Sequence, residues 1–251
     1  MKNLFSIKNK IIIITGGGRG IGKFLATGMG KEGAIVYCID KEFEKKDTKI
    51  KTVFQEKCDI TNAKKFQNIC KKIFLRHKKI DVLINNAGIT IPELKNKIYP
   101  KKKWEETINI NLTACLDSSQ AVLEFMSKKK SGSIINITSI NAELGFPNNP
   151  AYVASKGGLK MLGKALARDW GKYGIRINNL GPGYIKTDMV MKSYKNKKAK
   201  RVRESQTMMK RWGTIKDLLG PCIFLASDAS NYITGQDIYV DGGWTANGLP
   251  Y

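Results

Sequence analysis

Histidine is almost missing from this 251-residue chain: His77 is the only one. Without a second histidine, neither a histidine-rich zinc site nor a Ser-His-Asp triad is favoured, and His77 itself is expected at an exposed helix end. Cysteine is scarce and odd in number. Cys38, Cys58, Cys70, Cys115 and Cys222 are widely spaced and form no Cys-x-x-Cys, which argues for buried, reduced thiols in a cytoplasmic protein rather than a disulfide framework. No Pro- or Ser-rich linker, internal repeat or low-complexity stretch divides the chain, so a single domain over residues 1–251 is expected. The opening has charge followed by an apolar run, but four isoleucines before a glycine cluster are too few for a signal peptide or a membrane span. Acidic residues are also few, 21 against 44 Lys and Arg, leaving a formal charge of +23. The excess is mostly lysine, spread over the whole length beside abundant Ile and Asn. That pattern reads as solvated faces and a biased composition, and a nucleic-acid partner is not favoured despite the charge.

What the chain does contain is an alternation of apolar runs and helical patterns. KIIIITGGGRGIGKFLATGMGKEGA reads as a strand at Ile11 to Ile14, a turn punctuated by Gly16, Gly20 and Gly22, and a helix with Ile21, Phe24, Leu25 and Met29 on one face. Such a turn lets main chain approach a pyrophosphate closely while the helix start offers free N–H groups. A second strand, AIVYCID, ends in Asp40, placed to accept hydrogen bonds from an adenosine ribose and to repel a 2′-phosphate. Asp40 thus favours NAD over NADP, while Arg19 and Lys41 pull the other way. TVFQEKCDI is a third strand, whose end at Asp59 and Ile60 reaches toward adenine in this architecture. IDVLINNAG is a fourth, running into Asn85, Asn86, Ala87 and Gly88, a small-residue turn with room for a ribose.

Further strands are read at SGSIINITS, GIRINNLG and GQDIYVDGG. A long helix is expected from Trp104 to Met126, interrupted by Asn109 and Asn111, and a short one from Asp217 to Ser227. The lysine-rich segment from Met189 to Arg211 has few apolar positions and reads as a mobile flap, about residues 187–211. The whole predicts an α/β chain: a doubly wound parallel sheet of about seven strands with helices on both faces, with ligands beyond the strands' carboxyl ends.

Ser139 to Lys156 carries the chemistry. Pro150 at a first helical position would put Tyr152 and Lys156 one turn apart on one face, with Ser139 at a strand's end opposite. A fixed ammonium beside a phenol is expected to lower its pKa and suit it to move a proton on or off an alcohol oxygen.

Taken together, Thr15 to Gly22 (TGGGRGIG), Asn85 to Gly88 (NNAG), Asn111, Ser139, Tyr152-x-x-x-Lys156 and Pro182-Gly183 resemble the short-chain dehydrogenase/reductase family over essentially the whole chain. The resemblance implies a Rossmann fold and an NAD(P)-dependent oxidoreductase acting on CH–OH groups without a metal. It implies a catalytic tetrad of Asn111, Ser139, Tyr152 and Lys156. Tyr152 would be the general acid/base and Ser139 would orient the substrate oxygen. Lys156 would lower the tyrosine pKa and bond the nicotinamide ribose, and Asn111 would hold a water. Thr187, with main chain near Ile185 and Pro182, would meet the nicotinamide carboxamide.

Two groups within the family compete. Glu143-Leu144-Gly145, PGYIKTDM and Lys210-Arg211-Trp212-Gly213 are closer to gluconate 5-dehydrogenase-like enzymes, implying a sugar, sugar acid or polyol as substrate. Glu143 would then bond substrate hydroxyls beside Ser139 and Tyr152, and basic flap residues would meet a carboxylate or phosphate. The 3-oxoacyl-[acyl-carrier-protein] reductases, using NADPH, are the alternative. A non-catalytic nucleic-acid-binding protein on the same fold is a further one. The family also implies a homo-oligomer, a dimer or tetramer, to which the tail GWTANGLPY would contribute.

Overall fold

In the computed structural model, which describes residues 3–43, 50–93 and 98–248, the isoleucine run of β1 (Ile11–Thr15) is buried at every position. A strand buried throughout needs cover on both faces, and each isoleucine so covered contributes about 1.5–3 kcal/mol. Ile11 and Ile13 point to one side, against Phe66, Ile69 and Ile73 of α2 (Ala63–His77) and Val122 and Met126 of α4 (Ala114–Lys129). Ile12 and Ile14 point to the other, against Leu25 and Met29 of α1 (Gly20–Lys31) and Cys222 and Leu225 of α8 (Leu219–Ala226).

The remaining strands are β2 (Ile35–Asp40), β3 (Val53–Lys57), β4 (Val82–Asn85), β5 (Gly132–Ile137), β6 (Ile175–Pro182) and β7 (Asp237–Val240). All seven pair in parallel in the order β3-β2-β1-β4-β5-β6-β7. This is the doubly wound, Rossmann-like single domain expected from the alternation. The order reverses between β1 and β4, the point where such sheets open a crevice for a ligand.

Between β4, β5 and β6 the register aligns three asparagines, Asn85, Asn136 and Asn179, all about fully buried. Asn85 Nδ2 donates to Asn136 Oδ1 at 3.0 Å, and Asn136 Nδ2 donates to Asn179 Oδ1 at 3.0 Å. The Asn179 amide passes on to Asp237 Oδ1 at 2.7 Å, on β7, and to the Lys160 carbonyl. Helix α5 (Pro150–Trp170) makes room with Gly163, where a Cβ would lie 2.4 Å from Asn179 Oδ1.

Three expectations change in detail. The helix expected over Trp104–Met126 begins earlier, as α3 (Lys101–Ile108), and runs on through α4 to Lys129. Its polar interruption is a π-helical turn over Asn109–Thr113. The segment read as a mobile flap folds into two short helices, α6 (Met191–Lys195) and α7 (Lys197–Gln206), the second capped by the Asn196 side chain. His77 ends α2 as expected but is only half-exposed: its Nε2 is 2.8 Å from the Tyr37 hydroxyl, and burial lowers its pKa. The five cysteines are buried free thiols, and burial pushes Cys38 and Cys222 up to about 12. Among the described residues, no helix is long and apolar enough to cross a membrane, and no group of three or more His, Cys, Asp or Glu is placed to hold a metal ion.

Candidate active site

The carboxyl ends of β1, β2, β4, β5 and β6 bring most of the singled-out residues to one edge of the sheet. The glycine turn after β1 is held by backbone and small side chains. Asn86 Nδ2 donates to the carbonyls of Thr15 and Gly16 at 2.9 and 3.0 Å, while Thr15 Oγ1 accepts from the N–H groups of Asn86 and Ala87, both at 3.1 Å. Gly16 has φ +67°, and a Cβ there would be 2.8 Å from Ala87 Cα; one on Gly22 would be 2.1 Å from the Gly16 carbonyl oxygen. Gly20, φ +55°, instead faces open space, with nothing within 4 Å of a Cβ position. Arg19 precedes α1 in extended conformation and offers no side-chain cap, so the first N–H groups of the helix stay available to an anion. A close-packed rear wall, an open front and an uncapped helix start fit a dinucleotide pyrophosphate.

Asp40 stands at the end of β2 as expected. Its Oδ2 accepts from Gly18 N at 2.9 Å and its Oδ1 from Glu42 N at 3.3 Å, so it also braces the glycine turn. Asp59 is exposed beyond β3, and its Oδ1 takes the N–H and hydroxyl of Thr61 at 2.9 and 2.8 Å, which lowers its pKa. Ile60 is half-buried and packs on the core. Asn85 does not face the turn: its side chain is 1% exposed and bonds Ser118, Ser119 and Asn136. Its amide belongs to the buried asparagine row, and the clamp on the glycine turn is Asn86, which sequence reasoning passed over. Ala87 and Gly88 do form the wall there; a Cβ on Gly88 would lie 3.3 Å from Asn111 Oδ1 and 3.6 Å from Lys156 Nζ.

Ser139, Tyr152 and Lys156 converge as expected. Ser139 leaves β5 in extended conformation and caps the 3₁₀ turn Ile140–Ala142 through Asn141 N at 3.1 Å. Pro150 opens α5, placing Tyr152 and Lys156 one turn apart. Lys156 is 4% exposed; its Nζ donates to the Ile137 carbonyl at 2.8 Å and lies 5.7 Å from the centre of the Tyr152 ring. Asn111, fully buried on the π-helical turn, accepts from Ile89 N at 2.8 Å and donates to Ile89 O and Ser155 Oγ at 2.9 and 3.1 Å. The expanded turn presents this amide sideways to the β4 loop, a geometry that π-turns often supply at functional sites.

The expected direction of the tyrosine pKa is reversed. Burial raises Tyr152 above its ordinary value, the Ser139 hydroxyl offsets this in part, and the nearby Tyr184 phenol adds to the rise. Lys156 Nζ donates to the Ile137 carbonyl and lies over the ring, and burial lowers the pKa of Lys156 itself. Glu143 is exposed on the loop after Ser139. Its Oε1 accepts from the Tyr239 hydroxyl at 2.6 Å and pairs with Lys160, tying the loop to β7, and these bonds lower its pKa.

Beyond β6, Pro182 is buried opposite Val240, and Ile185 forms a parallel bridge with Gly213. The bridge uses Tyr184 O and Lys186 N, so the N–H and C=O of Ile185 point the other way. Thr187 precedes a 3₁₀ turn and is half-buried. Under α7, Tyr184, Tyr194, Trp212 and Trp244 form an aromatic cage, with ring centres 5.0–5.2 Å apart. No spacing in the sequence connects these rings; the signal available was aromatic residues flanking glycines at Tyr184, Trp212 and Trp244.

A glycine-lined dinucleotide cradle beside a Ser-Tyr-Lys group defines the short-chain dehydrogenase/reductase family, and this chain belongs to it. A family model described as "Enoyl-(Acyl carrier protein) reductase" matches residues 16–245. The chain is an NAD(P)-dependent oxidoreductase acting on CH–OH groups. It is 35% identical over 250 residues to the 5-keto-D-gluconate 5-reductase of Escherichia coli (strain K12), covering 97% of this chain and 98% of that one. It is 34% identical over 244 residues to a 3-oxoacyl-[acyl-carrier-protein] reductase of Thermotoga maritima, covering 94% and 98%. A crystal structure of a gluconate 5-dehydrogenase from Burkholderia cenocepacia J2315, in complex with NADP and tartrate, superposes with a TM-score of 0.90 at 33% identity, covering 97% and 98%.

Proposed function

We propose that this enzyme interconverts a secondary hydroxyl and a ketone on a sugar acid, with Tyr152 as the group that moves the hydroxyl proton. The observation that carries the chemistry is the meeting of Ser139, Tyr152 and Lys156, with Lys156 against Gly88 of the β4 loop. The substrate class is supported by the similarity to a 5-keto-D-gluconate reductase over nearly the full length of both chains. The bound dinucleotide supplies the hydride acceptor or donor. Gly16, Gly20, Ile21 and Gly22 would receive its pyrophosphate, and Asp40 its adenosine ribose. Asp59 and Ile60 would border the adenine, and Ala87 and Gly88 the ribose nearer the reacting carbon. Ile185 main chain and Thr187, with Pro182 behind them, would hold the carboxamide.

In the oxidation direction, Ser139 Oγ orients the substrate hydroxyl and the Tyr152 phenolate takes its proton; in reduction the neutral phenol returns it. Lys156 supplies positive charge beneath the ring and a donor toward the ribose. The Asn111 amide bonds Ile89 and Ser155 and so fixes the β4 loop against α5, and its Oδ1 keeps one acceptor position for a relay water. Because Tyr152 is raised by burial, oxidation should climb with pH from neutral into the alkaline range as the phenolate is populated, and reduction should fall over the same range. Both dinucleotides are accepted in this reading, and Asp40 sets the ratio in favour of NAD against Arg19 and Lys41.

The test is absorbance of the reduced nicotinamide across sugar acids, polyols and acetoacetyl thioesters, with the wild type and Tyr152→Phe. The expected result is turnover of a sugar acid and a loss of at least about 100-fold in kcat for the variant, with dinucleotide affinity retained. Preference for a thioester with NADPH would replace the substrate class, and substantial activity in Tyr152→Phe would remove that residue from its role.

A further inference from the structure

Helix α7 carries a guanidinium that no carboxylate among the described residues neutralises. Arg203 lies with its charge centre 4.6 Å from the Tyr184 ring centre and 6.0 Å from that of Trp212. Its Nη1 donates to the Ser193 hydroxyl and reaches the Ala199 carbonyl at 3.5 Å, but its Nε is buried without a hydrogen-bond partner. No acidic residue among those described pairs with it. The contrast is Arg211, nearby in sequence, whose two terminal nitrogens meet Asp217 at 3.1 Å each. Stacking on aromatic faces holds a guanidinium in place without cancelling its charge, and partial removal from water strengthens its pull on an anion.

The same arginine lines a cavity of about 480 Å³ between α7 and the loop that follows Ser139, together with Phe146, Tyr184, Lys198 and Trp244. The walls are mostly apolar, and the charges on them are positive. Two of its lining residues lead back to the carboxyl edge of the sheet: Tyr184 follows the end of β6, and Phe146 lies on the loop that follows Ser139.

We propose that Arg203 is the receptor for the substrate's carboxylate. This rests on the sugar-acid reading and deepens it: the aromatic cage presents the arginine, and the arginine, through a charge-assisted pair, selects an acid over the matching polyol.

The test compares wild type with Arg203→Met and Arg203→Lys. Calorimetry measures binding of D-gluconate and of neutral sorbitol, turnover gives KM for each, and a dinucleotide titration with a melting curve serves as the control. For Arg203→Met, a loss of about 10- to 100-fold in gluconate affinity is expected, with sorbitol and dinucleotide binding within about twofold. Arg203→Lys should recover part of the loss, since charge is kept and the planar fork is not. Equal weakening of gluconate and sorbitol would mean that Arg203 only packs the helix, and unchanged gluconate binding would overturn the proposal outright. Gluconate binding that depends on Arg203 but is followed by no turnover would leave the receptor standing and remove the sugar-acid reaction.

Discussion

Around residues 16–22 the protein makes a binding surface by leaving side chains out, and around residues 184–212 it makes one by crowding them in. In the first region no Cβ fits behind Gly16 or Gly22, and no side chain caps the start of α1 at Arg19. In the second, the Tyr184 and Trp212 rings lie against Arg203, and Tyr194 and Trp244 pack on those rings in turn. A backbone cradle recognises what every dinucleotide shares, whereas a cage of long side chains can be retuned for one substrate without disturbing the turn. With Arg203 as the proposed carboxylate receptor, the shared and the particular parts of the reaction are built from different materials at one sheet edge.

The comparison breaks most readily at Gly22. Alanine there would meet the Gly16 carbonyl oxygen at 2.1 Å, so Gly22→Ala should cost about 2–3 kcal/mol in urea unfolding and abolish dinucleotide binding. Alanine at Gly20, which faces open space, should cost only the left-handed backbone strain of about 1–2 kcal/mol. Equal effects at the two positions would show that the rear wall is not the constraint. Asp40→Asn keeps an acceptor for Gly18 N but removes the charge, and should move the NADP-to-NAD preference about tenfold, or 1.4 kcal/mol, toward NADP in paired steady-state titrations. An unchanged ratio would reduce Asp40 to a brace of the turn. The smallest effect belongs to the Arg211–Asp217 pair at the foot of the cage. Arg211→Gln should lower stability by less than about 1 kcal/mol, because both groups are partly exposed. Asp217 is held down at about 2 by Arg211 and the Thr214 main chain. Its contribution is therefore complete above the ordinary carboxylate value of about 4 and fades as pH falls toward 2, so wild type and variant should melt alike in strong acid.

The sheet was legible in the sequence because strands covered on both faces must be apolar at every position, as Ile11–Ile14 are. The glycine turn and the Tyr152–Lys156 pair were legible for a related reason: each depends on a short spacing within one segment. What escaped depends on contacts between distant segments. Asn85 and Asn86 are neighbours of the same type, yet one is buried in the sheet and the other clamps the turn, a difference made by Ser118 and Thr15 far along the chain. Glu143 looked free in its loop because nothing nearby announces Tyr239 or Lys160. The flap looked featureless because α7 packs through Arg203 on Tyr184 and Trp212 rather than through an apolar stripe. The tyrosine pKa was misjudged since sequence spacing supplies the ammonium but not the depth of burial.

The asparagine row has a consequence for how the chain finds its own alignment. Strands rich in isoleucine look alike to one another after a slide of two residues, since the same faces stay covered. Asn85, Asn136 and Asn179 remove that ambiguity: any slide strands buried amides at about 1–3 kcal/mol each. Three polar teeth thus act as an alignment key for a sheet whose grease would otherwise let it slip.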